Sequence, residues 1–387
     1  MDASDVQEPA NLAYYFNSKP DRLHQFPVLV LLPLALASPL RHIKRQWASC
    51  CANETSTRVD FASMPPDERQ SYTAAIQCMM NLPSQLSPVQ YPAAISRYFD
   101  YAVIHVSRSQ YVHNSGYFLT WHRYFVWLFE QDLRSVCGYT GRYPYWNFAS
   151  TSTLTNLTDS VVFDGSASSM SGDSLYANPG DIVLGPNLTL PHGTGGGCVT
   201  SGPFANLSVP LKYISSAYLL NGTLPTDAYA YNPNCLTRDL NAAIAARYTT
   251  PDLVTAATHA SDAASFENLL NGVIGGASLG IHSGAHFQVG GAAGQMSSIH
   301  VSAQDPIWFP MHTFVDLVYD SWQRNNAAVA DDLSGTMTAG NVPQSAEVTL
   351  DSVLPDWGYL ESRNITVRDL LNITAGPFCY QYDLQLS

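Results

Sequence analysis

Apolar and polar residues follow a helical spacing in two blocks of the chain, separated by a long stretch without period. In the first block, residues 65–81 (PPDERQSYTAAIQCMMN) open with prolines and acids and continue with apolar residues three and four apart, which predicts a helix. Residues 88–110 and 118–136 read the same way. The latter is dense with Trp121, Tyr124, Phe125, Trp127, Leu128 and Phe129, the composition of a helix buried on most sides. From about 150 to 260 the chain is rich in Ser, Thr, Asn, Gly and Pro, which predicts long loops with short strands. Helical spacing returns at 261–273, 279–288 and 309–325, and the tail from Ile365 to Tyr382 alternates as strands do. No internal repeat is present. The pattern predicts a mainly α protein: a four-helix bundle core with long loops and a few short strands, a setting in which metal sites form from inward-facing side chains.

Composition narrows the function classes. The 387 residues are 46% hydrophobic and only 13% charged, as expected of a large core with polar, uncharged loops. A formal net charge of −13 excludes nucleic acid and an anionic membrane surface as partners, and points to a small neutral substrate. The apolar run Val28 to Ala37 is too short to span a membrane and ends in Ala35-Leu36-Ala37 before Ser38, as a secretory leader does. It sits unusually far into the chain for a leader, and the alternative is a buried strand. Seven Asn-x-Ser/Thr triplets follow, at Asn53, Asn156, Asn187, Asn206, Asn221, Asn364 and Asn372, which predicts a secreted glycoprotein. Lys44-Arg45 reads as a dibasic processing site, giving residues 1–45 as a signal and pro-segment and 46–387 as the working domain. In an oxidising compartment the seven cysteines pair. The expectation is Cys198 with Cys235, Cys50 and Cys51 with Cys78 and Cys379, and Cys137 left over, although sequence alone does not fix connectivity.

The candidate chemistry lies in the histidines. Of eleven, six fall in two groups on the predicted helices: His105, His113 and His122, then His282, His286 and His312. His282 and His286 are four apart and share one helix face, so they can share one metal; His312 would complete a three-imidazole site. Taken singly, each reads better as a satisfied core or surface histidine than as a ligand. Six together on core helices, with His24, His42, His192, His259 and His300 in loops or near the termini, form a stronger pattern. Imidazole suits copper, zinc, iron and nickel. Neither group has a carboxylate at ligand spacing, which favours a redox copper pair over a hydrolytic zinc or iron pair.

Two stretches resemble the copper signatures of the tyrosinase and catechol oxidase family. One runs from His113 through Asn114-Ser115-Gly116-Tyr117-Phe118-Leu119-Thr120-Trp121-His122-Arg123 to Glu130. The other runs from Asp305-Pro306 to His312 and Asp316, departing at Trp308, where Phe is usual, and at Met311, where a second histidine often stands. Pro144-Tyr145-Trp146-Asn147 and Gly294-Gln295-Met296-Ser297 are also similar to family segments, so the resemblance covers residues 65–382. It implies two copper ions, copper A on His105, His113 and His122 and copper B on His282, His286 and His312. It also implies O2-dependent oxidation of a phenolic small molecule, a catechol giving an o-quinone and water. Asp305, Asp316, Arg123 and Glu130 are then supports rather than ligands.

Departures from the family shape the expected activity. Tyr111 stands where many members carry a cysteine joined by a thioether to the second copper A histidine, so no such crosslink is expected. Hydroxylation of monophenols in the family calls for a Glu-held water. Here no carboxylate precedes His282 within ten residues, Asn268 to Gly272 occupies the corresponding place, and Glu267 lies further upstream. Asn271, Ser283 and Phe287 are the expected substrate-pocket residues, and a weak base beside an apolar ring favours catechol oxidation. Tyr380-Gln381-Tyr382 resembles the motif closing the family's catalytic domain, and no C-terminal lid domain is expected. The chain thus resembles the short secreted polyphenol oxidases of filamentous fungi, working as a monomer or weak homo-oligomer. An oxygen carrier of the haemocyanin type would use the same histidines, but with additional domains and large oligomers. A zinc or iron hydrolase and a glycosylated binding module are the remaining alternatives.

Overall fold

The computed structural model describes residues 55–387 except 179, 186, 187, 274, 275 and 293. The apolar run Val28 to Ala37, Lys44-Arg45, Cys50, Cys51, Asn53 and Asn187 lie outside the described residues.

Nine α-helices are found among the described residues: α1 (Pro66–Asn81), α2 (Arg97–Val112), α3 (Phe118–Cys137), α4 (Ala217–Leu220), α5 (Ala242–Tyr248), α6 (Pro251–Thr258), α7 (Ala263–Asn271), α8 (Ile281–Gly290) and α9 (Trp308–Asn325). α1 starts with Pro66 at its first position and Asp67 and Glu68 in its first turn, where a missing N–H costs nothing and the carboxylates meet the positive helix end. α2 begins nine residues later than the 88–110 pattern suggests. Ser96 takes an extended conformation and accepts from the Phe99 N–H, a side-chain cap that sets the start, while Pro92 lies upstream in a run of turns. α3 ends at Gly138, whose left-handed φ of 65° closes the last turn.

Three helices were hidden in the region that reads as loop, the single turn α4 and the longer α5 and α6. Asn241 caps α5 by accepting from the Ile244 N–H, and Thr250 caps α6, which has Pro251 at its first position. Caps of this kind are readable, but segments of seven and eight residues are too short to show a period. The tail departs in the opposite direction. Instead of strands throughout, it forms turns and a 3-10 turn, with only β9 (Tyr380–Tyr382) paired as a strand. Asp369 accepts from the Thr366 N–H, and Asn372 accepts from the Thr374 N–H; such local bonds bend the backbone away from a ladder.

β9 joins a three-stranded parallel sheet with β1 (Ser56–Asp60) in the middle and β2 (Pro144–Tyr145) on the far side. The long excursion carries three short two-stranded pairs: β3 (Ser174–Tyr176) with β6 (Gly196–Val199), β4 (Ile182–Gly185) with β5 (Leu188–Leu190), and β7 (Ser208–Val209) with β8 (Asn234–Cys235). The main core runs through α1, α2, α3 and α9, filled by Tyr98, Tyr101, Trp121, Phe125, Phe129, Trp308 and Phe309. A second, small core forms where the β4–β5 hairpin (Ile182, Leu188, Leu190) meets α5 (Ile244, Tyr248), with Phe287 of α8 leaning against it. Gly284 lets α8 lie close to α5: a Cβ there would come within 2.7 Å of the Tyr248 Cβ.

Two disulfides join described residues. Cys198–Cys235 is the pair expected. Cys78–Cys137 corrects the expectation that Cys78 bonds Cys50 or Cys51 and that Cys137 stands alone. α1 packs on α3 and brings the two Cα atoms to 6.0 Å, within disulfide reach. No described helix is long and apolar enough to cross a membrane.

Candidate metal centre

Four helices supply five of the six histidines, and the end of α2 supplies the sixth. α2 carries His105, and His113 caps its end in an extended conformation (φ −120°, ψ 143°) rather than lying on a helix. α3 supplies His122, α8 His282 and His286, and α9 His312. All except His286, which is half-buried, are at most 5% exposed.

Each ring is fixed through Nδ1. His105 donates to the His300 carbonyl (2.8 Å), His113 to Ser109 (3.0 Å) and His122 to Phe118 (2.8 Å). In the other group His286 donates to the Met296 carbonyl (2.7 Å) and His312 to Trp308 (3.0 Å). A carbonyl can only accept, so the proton must sit on Nδ1 and the lone pair on Nε2. His282 is held differently: its Nδ1 donates to the Asn271 side-chain Oδ1 at 2.8 Å.

The Nε2 atoms therefore face one another as bare lone pairs. His282 Nε2 lies 3.0 Å from His286 Nε2 and 3.2 Å from His312 Nε2, a repulsive arrangement unless a cation sits between them. In the first group, His105 Nε2 and His122 Nε2 are buried with no hydrogen-bond partner among the described residues. The ligand atoms of each triad all lie within 4.8 Å of one another. Burial pushes every one of these imidazoles below its ordinary value, to about 3 for His122 and about 4 for His286, so all stay neutral and ready to ligate.

The triads face each other. The His122 and His312 rings stack at 5.1 Å, and Phe118 sits 4.8 Å from His122 and 5.0 Å from His282. Trp308 stacks on His312 at 3.7 Å, an aromatic partner in the place where the sequence departs from Phe. No carboxylate belongs to either cluster. Two adjoining sites of three neutral imidazoles fit copper, and lack the carboxylate bridge expected of a hydrolytic pair.

The carboxylates expected as supports lie behind the triads. Asp316, one turn beyond His312, meets Arg123 (2.5 Å), Arg58 (3.3 Å) and the hydroxyls of Tyr380 (2.6 Å) and Tyr382 (2.5 Å). Burial alone would raise its pKa, but Arg123 and Arg58 hold it below the usual carboxylate range. Asp305 makes a two-pronged pair with Arg238 (2.7 and 2.8 Å), and Glu130 meets Arg58 (2.9 Å). Arg58, whose role sequence reasoning missed, also lies over the Tyr380 ring at 3.5 Å.

Of the expected pocket residues, Asn271 and Ser283 meet at the α7–α8 junction, where the Ser283 hydroxyl donates to the Asn271 carbonyl (2.9 Å). Both are half-buried, as is Phe287. Asn271 Nδ2 has no partner among the described residues. Glu267 stands one helical turn before Asn271 on α7, and burial pushes its carboxyl well above the ordinary value. Tyr111 is 43% exposed at the end of α2. His300 and Met296 were also missed as contributors, because they act through main-chain carbonyls and residue type gives no signal of that.

The fold and the paired triads define a copper-dependent oxidoreductase. Residues 95–325 match the common central domain of tyrosinase, and the chain belongs to the tyrosinase family. It is 33% identical over 366 residues to an N-acetyl-6-hydroxytryptophan oxidase of Emericella nidulans, covering 90% of this chain and 98% of that one. It is 34% identical over 337 residues to Tyrosinase P of Aspergillus terreus, covering 84% and 91%. A polyphenol oxidase variant from Thermothelomyces thermophila has the same fold, with a TM-score of 0.78 and 32% identity over 86% of this chain and 90% of that one. The family uses two copper ions and acts on phenols with O2.

Proposed function

We propose that this chain is a catechol oxidase, with copper A held by His105, His113 and His122 and copper B by His282, His286 and His312. The observation that carries the reading is the convergence of Nε2 lone pairs, each fixed by a bond at Nδ1. The copper pair supplies O2 binding and electron uptake; the balance is two catechols and one O2 giving two o-quinones and two waters. The chain's part is to keep the rings neutral and aimed, and to present the phenol to the more open copper B side, where Asn271, Ser283, His286 and Phe287 are half-buried. Phe287 offers an apolar wall to the substrate ring.

The preference for catechols rests on what surrounds His282. The Asn271 Oδ1 is engaged by its Nδ1, and the Ser283 proton is engaged by the Asn271 carbonyl. Neither neighbour is a base strong enough to take the proton of a monophenol, whereas a catechol, with two adjacent hydroxyls, is oxidised more readily. Weak monophenol hydroxylation accompanies the main activity.

The same reading includes export and glycosylation of the domain 46–387 behind a 1–45 leader. Asn156, Asn206, Asn221, Asn364 and Asn372 are all exposed, as acceptor sites must be. A monomer or weak homo-oligomer is the expected form, to be read by size-exclusion chromatography with light scattering.

The deciding experiment combines copper analysis with oxygen uptake on a catechol, a monophenol and a 6-hydroxyindole, the last prompted by the relative that oxidises N-acetyl-6-hydroxytryptophan. Two coppers per chain and fastest uptake on the catechol support the proposal. Faster uptake on the monophenol overturns the subclass, and copper-loaded protein that consumes no oxygen brings forward the carrier reading.

A further inference from the structure

We propose that His300 and Ser109 are positioning residues for copper A, their side-chain bond locking the two carbonyls that orient His105 and His113. The proposal rests on the ligand reading above and concerns a histidine outside both triads.

His300 is fully buried between two 3-10 turns, Gln295–Ser297 and Ser302–Gln304. Its carbonyl accepts the His105 Nδ1 proton at 2.8 Å. One helical turn along α2 from His105, Ser109 offers its carbonyl to His113 Nδ1 at 3.0 Å. Between these two acceptors runs a side-chain bond of 2.7 Å, joining His300 Nδ1 and Ser109 Oγ. The Ser109 hydroxyl also lies 2.7 Å from the Val106 carbonyl, and the Ser215 main chain bonds the His300 ring, so the pair is held from both sides.

The circuit closes on itself: His105, the His300 main chain, the His300 ring, Ser109 and His113. A shift of the loop at residue 300 moves the acceptor of His105 directly, and the Ser109 bond is what ties that loop to the helix carrying the ligands. The loop also reaches the other triad, since the carbonyl of Met296, four residues earlier, receives His286 Nδ1. For copper A, two ligands thus depend on one buried side-chain pair. Groups that orient metal ligands in this way typically govern affinity by about 10–100-fold.

The test uses the full chain with copper bound. Ser109→Ala removes one hydroxyl and keeps the Ser109 carbonyl; His300→Ala removes the ring; His300→Asn restores a side-chain amide, able to donate or accept, close to where Nδ1 stood. Chelator competition should show one of the two coppers lost at about tenfold lower chelator concentration in Ser109→Ala and His300→Ala. His300→Asn should return retention towards the parent, and the Ser109→Ala apoprotein should still unfold in one cooperative transition, a few degrees below the parent, which shows that it folds. Both coppers retained as in the parent, equal weakening of both, or no rescue by Asn would overturn the proposal. If His300→Ala does not fold, Ser109→Ala decides alone. His105→Ala is the control for the ligand reading: should it keep both coppers with parental affinity, the ligand assignment fails irrespective of what the Ser109 and His300 variants do.

Discussion

In the first triad every imidazole hands its Nδ1 proton to a main-chain carbonyl; in the second, His282 hands its proton to the side chain of Asn271. The first triad is at most 3% exposed, while the second includes the half-buried His286 and borders the half-buried Ser283 and Phe287. One metal site is sealed and set by backbone geometry. The other opens towards solvent and is set in part by a residue that a single mutation can replace. A site that admits substrate has less surrounding protein from which to draw backbone acceptors, so side chains take over the task. On the proposed assignment of copper B, selectivity among phenols is therefore easier to alter on the side of the second triad.

The largest expected effect removes a ligand from either side. His105→Ala and His282→Ala should each abolish oxygen uptake, at least a hundredfold below the parent, with one copper lost per chain by metal analysis. Equal loss from both variants would show that neither metal works alone, and residual turnover in one would break the symmetry of function that the paired triads suggest.

Next in size is the ion-pair floor beneath α9. Asp316→Ala leaves Arg58 and Arg123 buried without their shared carboxylate and should cost about 3–5 kcal/mol in denaturant unfolding. Because the folded pKa of Asp316 is lowered, its contribution is present above the unfolded carboxylate value, near 4, and lost as pH falls through the folded value. The imidazoles act in the same direction by a different route. Their folded values are lowered, so the unfolded apoprotein binds protons that the folded form refuses, and stability should decline as pH drops below about 6.5. For His286 the decline continues to about 4 and for His122 to about 3. Thermal melts of the apoprotein from pH 7 to 4 check this, and a flat profile would contradict it.

Asn271→Ala tests the contrast itself. It should weaken one copper by about 10–100-fold and leave the other unchanged in chelator titration, since no other ligand is held by a side chain. Asn271→Asp, which keeps an acceptor, should retain both coppers. The smallest effect belongs to Phe287→Ala, expected to raise KM for a catechol several-fold with little change in kcat, measured by oxygen electrode.

How far these features can be read from residues alone depends on where the signal lives. Long amphipathic helices announce themselves: 65–81 and 118–136 differ from α1 and α3 by a residue at each end at most. The start of α2 was obscured because Tyr91, Ala93 and Ala94 carry the apolar spacing backwards through turns that end only at the Ser96 cap. The triads were legible since imidazole is a distinctive ligand and two of them stand four apart. The hold on them was not, because a carbonyl belongs to every residue, and only the folded chain brings residue 300 to residue 105. The Cys78–Cys137 bond was missed for a similar reason, as proximity of two helix ends is a property of packing rather than of spacing.

The parallel pairing of Ser56 with Tyr380 and of Arg58 with Tyr382 places the finish of the catalytic unit under a timing constraint. On the ribosome, β1 emerges more than three hundred residues before its partner β9, and Arg58 must wait for Tyr380 and Tyr382 before the cluster around Asp316 can close. The helix bearing His312 is thus anchored both by residues made after it and by a strand made long before it. Stable metal loading is accordingly expected only after translation has passed residue 382, which makes copper delivery a step for the finished chain rather than the nascent one.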